Sequence, residues 1–229
     1  MSNYDKAHTC EFCKKSFAKE KTLLAHLCEK KRRHLQKDSK HVIIGFQAFN
    51  QFYKLSTSIK KEKTYTDFCN SSSYNAFVRF GSYVHNVQPI YPSKYIDYVV
   101  TSGVKLDHWC KDELYEQYIL ELIFKEDPLT AVERSIITMT NWAEDNKTDW
   151  KNYFSHATAS RLTWDLRDGK MSPWLVLNCN SGKKALASLS DEQLSIINNV
   201  LDPAHWKRQI KYNQSDVELI KKLAEENKL

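Results

Sequence analysis

The chain has 229 residues, 41% hydrophobic and 12% aromatic, with only five Gly and five Pro, which excludes a disordered chain and allows one sizeable globular domain plus an appendage. No apolar run approaches the ~20 residues that span a bilayer, and the opening "MSNYDKAHTC" lacks the apolar stretch of a secretory signal, so a cytoplasmic location (host cytoplasm if viral) without a membrane partner is expected. The formal charge of +6 is uneven: residues 1–63 carry 15 Lys+Arg against 6 Asp+Glu, and the remainder 19 against 22.

The first stretch that carries chemistry is "CEFCKKSFAKEKTLLAHLCEKKRRH", residues 10–34. Its spacing is Cys-x2-Cys-x3-Phe-x5-Leu-x2-His, through Cys10, Cys13, Phe17, Leu23 and His26. Three of the six cysteines crowd into residues 10–28, while Cys69, Cys110 and Cys179 stand alone. That pattern suits one metal site in a reducing compartment better than a disulfide framework. A structural zinc site wants four soft or borderline ligands, and a fourth must follow His26. His34 lies eight residues on, about 12 Å along a continuous helix. Cys28 lies two residues on, about 200° around, and reaches the site if the helix ends at His26. Ending a helix is a local change, and thiolate is the better zinc ligand, so Cys28 is favoured. His34 is the alternative, with His8 and His41 further off.

These residues resemble the C2H2 zinc-finger family, with Phe17 and Leu23 at its two small-core positions. The resemblance implies a ββα module around one Zn2+ ion, with base-facing positions at Lys19, Thr22 and Ala25 and Lys21 beside them. One such finger covers about three base pairs. Contact with DNA or RNA backbone is therefore the expected use, with Lys30, Lys31, Arg32 and Arg33 supplying charge to phosphates. Docking of a protein by the finger is the competing reading. A solvated basic tail without a partner is the plainer reading of the charge.

Beyond "LQKDSKH", read as a linker, apolar residues recur at three- and four-residue spacing from Val42. A helix ends around Leu55, "STSIKKEKT" reads as an exposed loop, and Asp67–Asn70 as a short turn. Tyr74 to Asn86 is the next helix. Pro92 and Gly103 bracket another. The longest is expected from Leu106 or Asp107 to about Pro128, followed by one over "DPLTAVERSIITMTNWAEDN" and one from Trp150 to Leu166. "RDGK" reads as a turn and "SPWLVLNCN" as a short helix. Ser190 and Gln193 form a capping box, and two terminal helices follow. The expected fold class is mainly α: an N-terminal ββα-type zinc finger (1–36 with its basic tail), a linker (37–41) and an all-helical domain (42–229), divisible near 127 or 170.

The body offers no Walker-type glycine loop, no HExxH and no second Cys-x2-Cys. His108, His156 and His205 are single, and the six Trp read as core residues. Neither an enzyme nor a small-molecule substrate is expected. "FVRFGSYV", "YPSKYIDYVVTSGVKLDHWCKDELYEQYI" and "LRDGKMSPWLVLNCNSG", with "GFQAFNQFY" and the finger, resemble zinc-finger proteins of T4-like bacteriophages. The helical body also resembles the T4-type replicative helicase loader, which lacks this finger. Together these resemblances imply an accessory factor of phage replication, recombination or transcription, without catalysis of its own, partnered by a replication or transcription protein. The alternative is an adaptor that docks host polymerase or a virion component.

Overall fold

The computed structural model describes residues 8–56 and 62–229, and the chain forms two compact units, Met1–Lys111 and Asp112–Leu229. It is mainly helical, with a single two-stranded sheet among the described residues. No helix among them is long and apolar enough to cross a membrane.

In the first unit, strands β1 (His8–Thr9) and β2 (Ser16–Phe17) pair antiparallel, with His8 opposite Phe17. Two short helices follow, α1 (Glu20–Ala25) and α2 (Glu29–Leu35). Helix α3 (Lys40–Ser56) starts two residues before Val42, so residues 37–39 form only a tight turn. Residues 57–61 of the expected loop lie outside the described residues. The expected turn at Asp67 is a full helix, α4 (Tyr65–Asn70), because Thr64 and Asp67 form a reciprocal capping box. Helices α5 (Tyr74–Val87) and α6 (Pro92–Thr101) complete the unit.

Helices α3 and α5 pack at unusually close range, and two glycines explain it. A Cβ on Gly81 would sit 2.0 Å from the His41 carbonyl oxygen and 2.7 Å from the Gly45 nitrogen. One on Gly45 would sit 2.7 Å from the Phe77 oxygen. Around this crossing lies an aromatic core: Phe49 meets Phe68 at 5.1 Å and Phe77 at 5.4 Å between ring centroids. Trp109 lies edge-on to Phe77 and Phe80, and its indole N–H donates to the Val104 oxygen at 2.9 Å.

Trp109 also corrects an expectation. The helix expected from Leu106 is broken: Leu106–His108 make a 3-10 turn, Trp109 is buried in the first unit, and α7 (Asp112–Lys125) starts afresh. A straight helix through Asp107 could not deliver that indole to the aromatic core. The chain passes from one unit to the other there; positions 127 and 170 both lie inside the second unit.

The second unit is built of helices joined by short turns. At 19 residues, α8 (Pro128–Asn146) is the longest helix described, opened by Asp127 as N-cap with Pro128 behind it. Trp150 to Leu166 does not form one helix: a 3-10 turn leads into α9 (Tyr153–His156), and α10 (Ala159–Arg167) restarts at the N-cap Thr158. The break lets Tyr153 donate its hydroxyl to the buried Asp165 at 2.6 Å, where Arg161 also donates. Helix α11 (Pro173–Val176) is followed by one that the sequence pattern misses, α12 (Asn180–Ala187), whose first turn is capped by the Cys179 sulfur accepting from Gly182. The Ser190–Gln193 capping box opens α13 (Asp191–Ile197), and α14 (Pro203–Tyr212) and α15 (Gln214–Glu226) end the chain. Four of the six Trp are buried, but Trp164 is 45% exposed. The buried Arg134–Glu126 pair is completed by Ser172, whose hydroxyl donates to Glu126 Oε1 at 3.2 Å.

Candidate metal centre and basic surface

The hairpin at the start of the chain places the first two donors. Between β1 and β2 the backbone turns back on itself, with Cys10 N–H donating to the Lys15 oxygen and Lys14 N–H to the Cys10 oxygen, both at 2.9 Å. Lys14 takes a left-handed φ of 62° to close this turn. Helix α1 supplies the third donor at its exit. It ends at Ala25, and His26 is extended (φ −75°, ψ 118°). Three residues of extended chain then bring Cys28 around to the same point, where it becomes the N-cap of α2. The Cys28 sulfur accepts from Lys31 N–H at 3.4 Å, so the residue that closes the cluster also starts the next helix.

One sulfur, ring nitrogen or thiol from each of Cys10, Cys13, His26 and Cys28 lies within 4.8 Å of all the others. Cys10 Sγ and Cys28 Sγ are 3.9 Å apart, and Cys13 Sγ and His26 Nε2 are 3.2 Å apart. A tetrahedral ion with metal–sulfur bonds of about 2.3 Å has edges of roughly 3.8 Å between sulfurs, so the four donors fit one metal ion. The backbone N–H of Cys13, with further hydrogen bonds, holds the Cys10 thiol down to about 7 against the effect of burial. At Cys13 the Lys15 backbone N–H pulls down, but burial and the neighbouring Cys10 and Cys28 sulfurs outweigh it and raise that thiol. Such crowding of sulfurs is unfavourable as anions unless a cation sits among them. Phe17 packs beneath the cluster, its ring 4.7 Å from that of His26.

Of the two sequence candidates for the fourth position, Cys28 is in the cluster and His34 is not. His34 lies on α2 with its ring 5.2 Å from Phe12 and 6.2 Å from Tyr65. His8 in β1 and His41 in α3 are also outside the cluster.

The basic residues divide into two groups. Lys19, Lys21 and Thr22, at the start of α1, are exposed, as are Ala25 at its end and Lys30 and Arg32 on α2. Lys31 is half-buried and its Nζ donates to the His26 oxygen at 3.3 Å, bracing the strand that joins two donors. Arg33 differs most from expectation. Instead of projecting toward phosphate, its side chain is only 14% exposed. Nη1 donates to the Cys69 oxygen at 2.8 Å, near the end of α4, and reaches the oxygen of the C-cap Ser71 at 3.4 Å, which also accepts from Tyr74 N–H at 3.3 Å. The guanidinium lies 4.4 Å from the Tyr74 ring and also pairs with Glu29. Tyr65 returns the contact, donating its hydroxyl to the Arg33 oxygen at 2.7 Å. The basic run is therefore itself a helix, and Arg33 is the rivet that fastens it to α4 and α5. Only the acceptors, 36 and more residues away, could have revealed this, and a single sequence does not pair them.

The other histidines show no shared site: His108 and His156 are exposed, and His205 stacks on Phe124 at 3.9 Å. No family model matches this chain, and no curated protein or solved structure matches it either.

Proposed function

We infer that the N-terminal module is a zinc-dependent nucleic-acid-binding element and that the protein is an accessory factor without catalysis of its own. The observation that carries this reading is the convergence of Cys10, Cys13, His26 and Cys28 in a module where Lys19, Lys21, Lys30 and Arg32 are exposed. Three thiols and one imidazole make a donor set suited to zinc, and four protein ligands leave no open position for a substrate, so the ion's role is structural. Lys19, Lys21, Thr22, Lys30 and Arg32 then form the contact surface. Their exposure without a shape that reads several bases favours backbone contact over sequence reading. The resemblance to phage zinc-finger proteins fits this reading, with the helical body meeting a replication or transcription protein.

A second reading has its own support. Leu24 is 72% exposed and Leu27 61% exposed, on the stretch that holds His26 and Cys28. Exposed leucines on a small module favour protein docking. An electrophoretic shift with the full zinc-loaded chain separates the two. Nucleic-acid binding predicts retardation of duplex, single-stranded or RNA probes that weakens steeply between about 50 and 200 mM salt. A chain that ignores all three probes, yet holds a defined protein partner through nuclease and high salt, favours the docking reading.

A further inference from the structure

The second unit carries a cleft that the nucleic-acid reading does not use. It lies between α7, α10 and α13, has a volume of about 240 Å³, and is lined by Glu113, Glu116, Leu120, Arg167, Ile196 and Val200 among others. Ile119, Leu120, Ile196 and Val200 supply its apolar lining, Gln117 and Asn199 are polar, and Glu113 and Glu116 make one side acidic. Glu113 and Glu116 are three residues apart on α7, so they share a face. Both are exposed, and neither joins an ion pair among the described residues. Arg167 does not offset them: its Nε is 3.4 Å from Asp168 Oδ1, and its guanidinium lies 4.8 Å from the exposed Trp164 ring. Ile196 in the lining is 42% exposed, and Trp164, over whose ring the Arg167 guanidinium lies, is 45% exposed. Residues 112–229 carry 15 Lys+Arg against 19 Asp+Glu, a net of −4, so the field of the unit has the sign of the rim.

We propose that this cleft docks a short amphipathic segment of a partner protein, one that inserts apolar side chains between α7 and α13 and sets Lys or Arg against Glu113 and Glu116. The chemistry narrows the occupant. Phosphate-bearing ligands are repelled by the two carboxylates. At about 240 Å³ the cleft is below the roughly 300–1,000 Å³ of small-molecule sites, but it suits side-chain anchors. An exposed Trp under the Arg that lines the cleft has the composition of an interface hot spot. Helix-in-groove recognition through apolar anchors at i and i+3 or i+4 uses such a surface, and a complementary rim sets orientation and on-rate. The inference does not depend on the ligand of the N-terminal module, since none of the lining residues lies there.

The test is fluorescence anisotropy of the full zinc-loaded chain with a labelled Leu/Lys peptide patterned at helical period. A Ser/Lys peptide of equal charge is the comparison. The Leu/Lys peptide is expected to bind at least tenfold more tightly than the Ser/Lys one. Two variants, E113K/E116K and Ile196→Asp, are each expected to weaken it at least tenfold while circular dichroism and the thermal midpoint stay within about 3 °C of the parent. The nucleic-acid shift, run on the same variants, is expected to survive, which separates a failure of the cleft from a failure of the head. Equal affinity for the two peptides, or affinity unmoved by the variants, overturns the proposal.

Discussion

Arg33→Ala distinguishes a rivet from a phosphate contact, because the two roles move different measurements. As a rivet, the side chain gives the Cys69 oxygen a charged hydrogen bond worth about 1.5–3 kcal/mol. The stack on Tyr74 adds about 0.5–2 kcal/mol. The pair with half-exposed Glu29 adds only about 0.3–0.5 kcal/mol. Two offsets reduce that sum. Arg33 Nε is buried without a partner among the described residues, costing about 1 kcal/mol, and fixing the side chain costs about 1.5–2 kcal/mol of rotamer freedom. The net expected loss is about 1 kcal/mol, in a range from about 0 to 3, with Arg33→Lys intermediate because an ammonium cannot reproduce the planar fork. Urea unfolding of the zinc-loaded chain reads the stability. The slope of log K against log salt for a duplex probe reads phosphate contacts, at about 0.9 per contact. Arg33→Ala is expected to lower stability and leave that slope unchanged. Loss of about one unit of slope with stability within 0.5 kcal/mol of the parent would refute the rivet and restore Arg33 to the binding surface.

Lys30→Ala and Arg32→Ala should show the opposite pattern, each reducing the salt slope by about 0.9 while stability moves by less than about 0.5 kcal/mol; an unchanged slope in both removes α2 from the nucleic-acid interface. Gly81→Ala sets two effects against each other: a helix gains about 1 kcal/mol from Ala over Gly, but a Cβ 2.0 Å from the His41 oxygen forces α3 and α5 apart by roughly 1 Å or more. Overpacking costs about 1–3 kcal/mol or more, and backbone atoms cannot rotate away, so a net loss of about 2 kcal/mol is expected in chemical denaturation; a gain means the helices are less closely packed than described. His205 is neutral-favouring: burial lowers its pKa from the ordinary 6.5, and its Nε2 has no partner among the described residues. The unfolded chain therefore takes up a proton below about pH 6.5 that the folded chain refuses, so this contribution is neutral above that pH and destabilising as pH falls through it. Stability measured at pH 7.5 and 5.5 should fall less in His205→Gln than in the parent; an equal fall excludes His205 as a source.

The sequence announces those features whose partners are close by. Cys10, Cys13, Phe17, Leu23 and His26 stand in a fixed spacing, and the Ser190–Gln193 box satisfies its own helix start; the Thr64–Asp67 box is as local, yet the stretch after it reads as a turn. Even Cys28 follows from the rule that a ligand two residues on needs the helix to stop. Distant partners were hidden. The helical pattern from Leu106 to Glu126 ran unbroken, but burial of Trp109 among Phe52, Phe77 and Phe80 outweighed the propensity to continue. Tyr153 similarly breaks the helix expected from Trp150 by reaching Asp165. Helix α12 is not legible in the sequence because its cap is a cysteine rather than a hydroxyl or amide side chain. For Arg33, a run of like charges reads as a surface for phosphates, and only the fold supplies the carbonyls that draw one of the four inward.

The most direct test of the metal centre is the absorption spectrum of the full chain refolded with Co2+ and titrated with Zn2+. One equivalent of ion, a tetrahedral spectrum with strong thiolate charge transfer, and displacement by one equivalent of Zn2+ are expected. Cys28→Ser should lose thiolate intensity and weaken metal affinity at least tenfold, whereas His34→Ala should leave both as in the parent. Retention in Cys28→Ser together with loss in His34→Ala would contradict the centre described, as would a stoichiometry other than one.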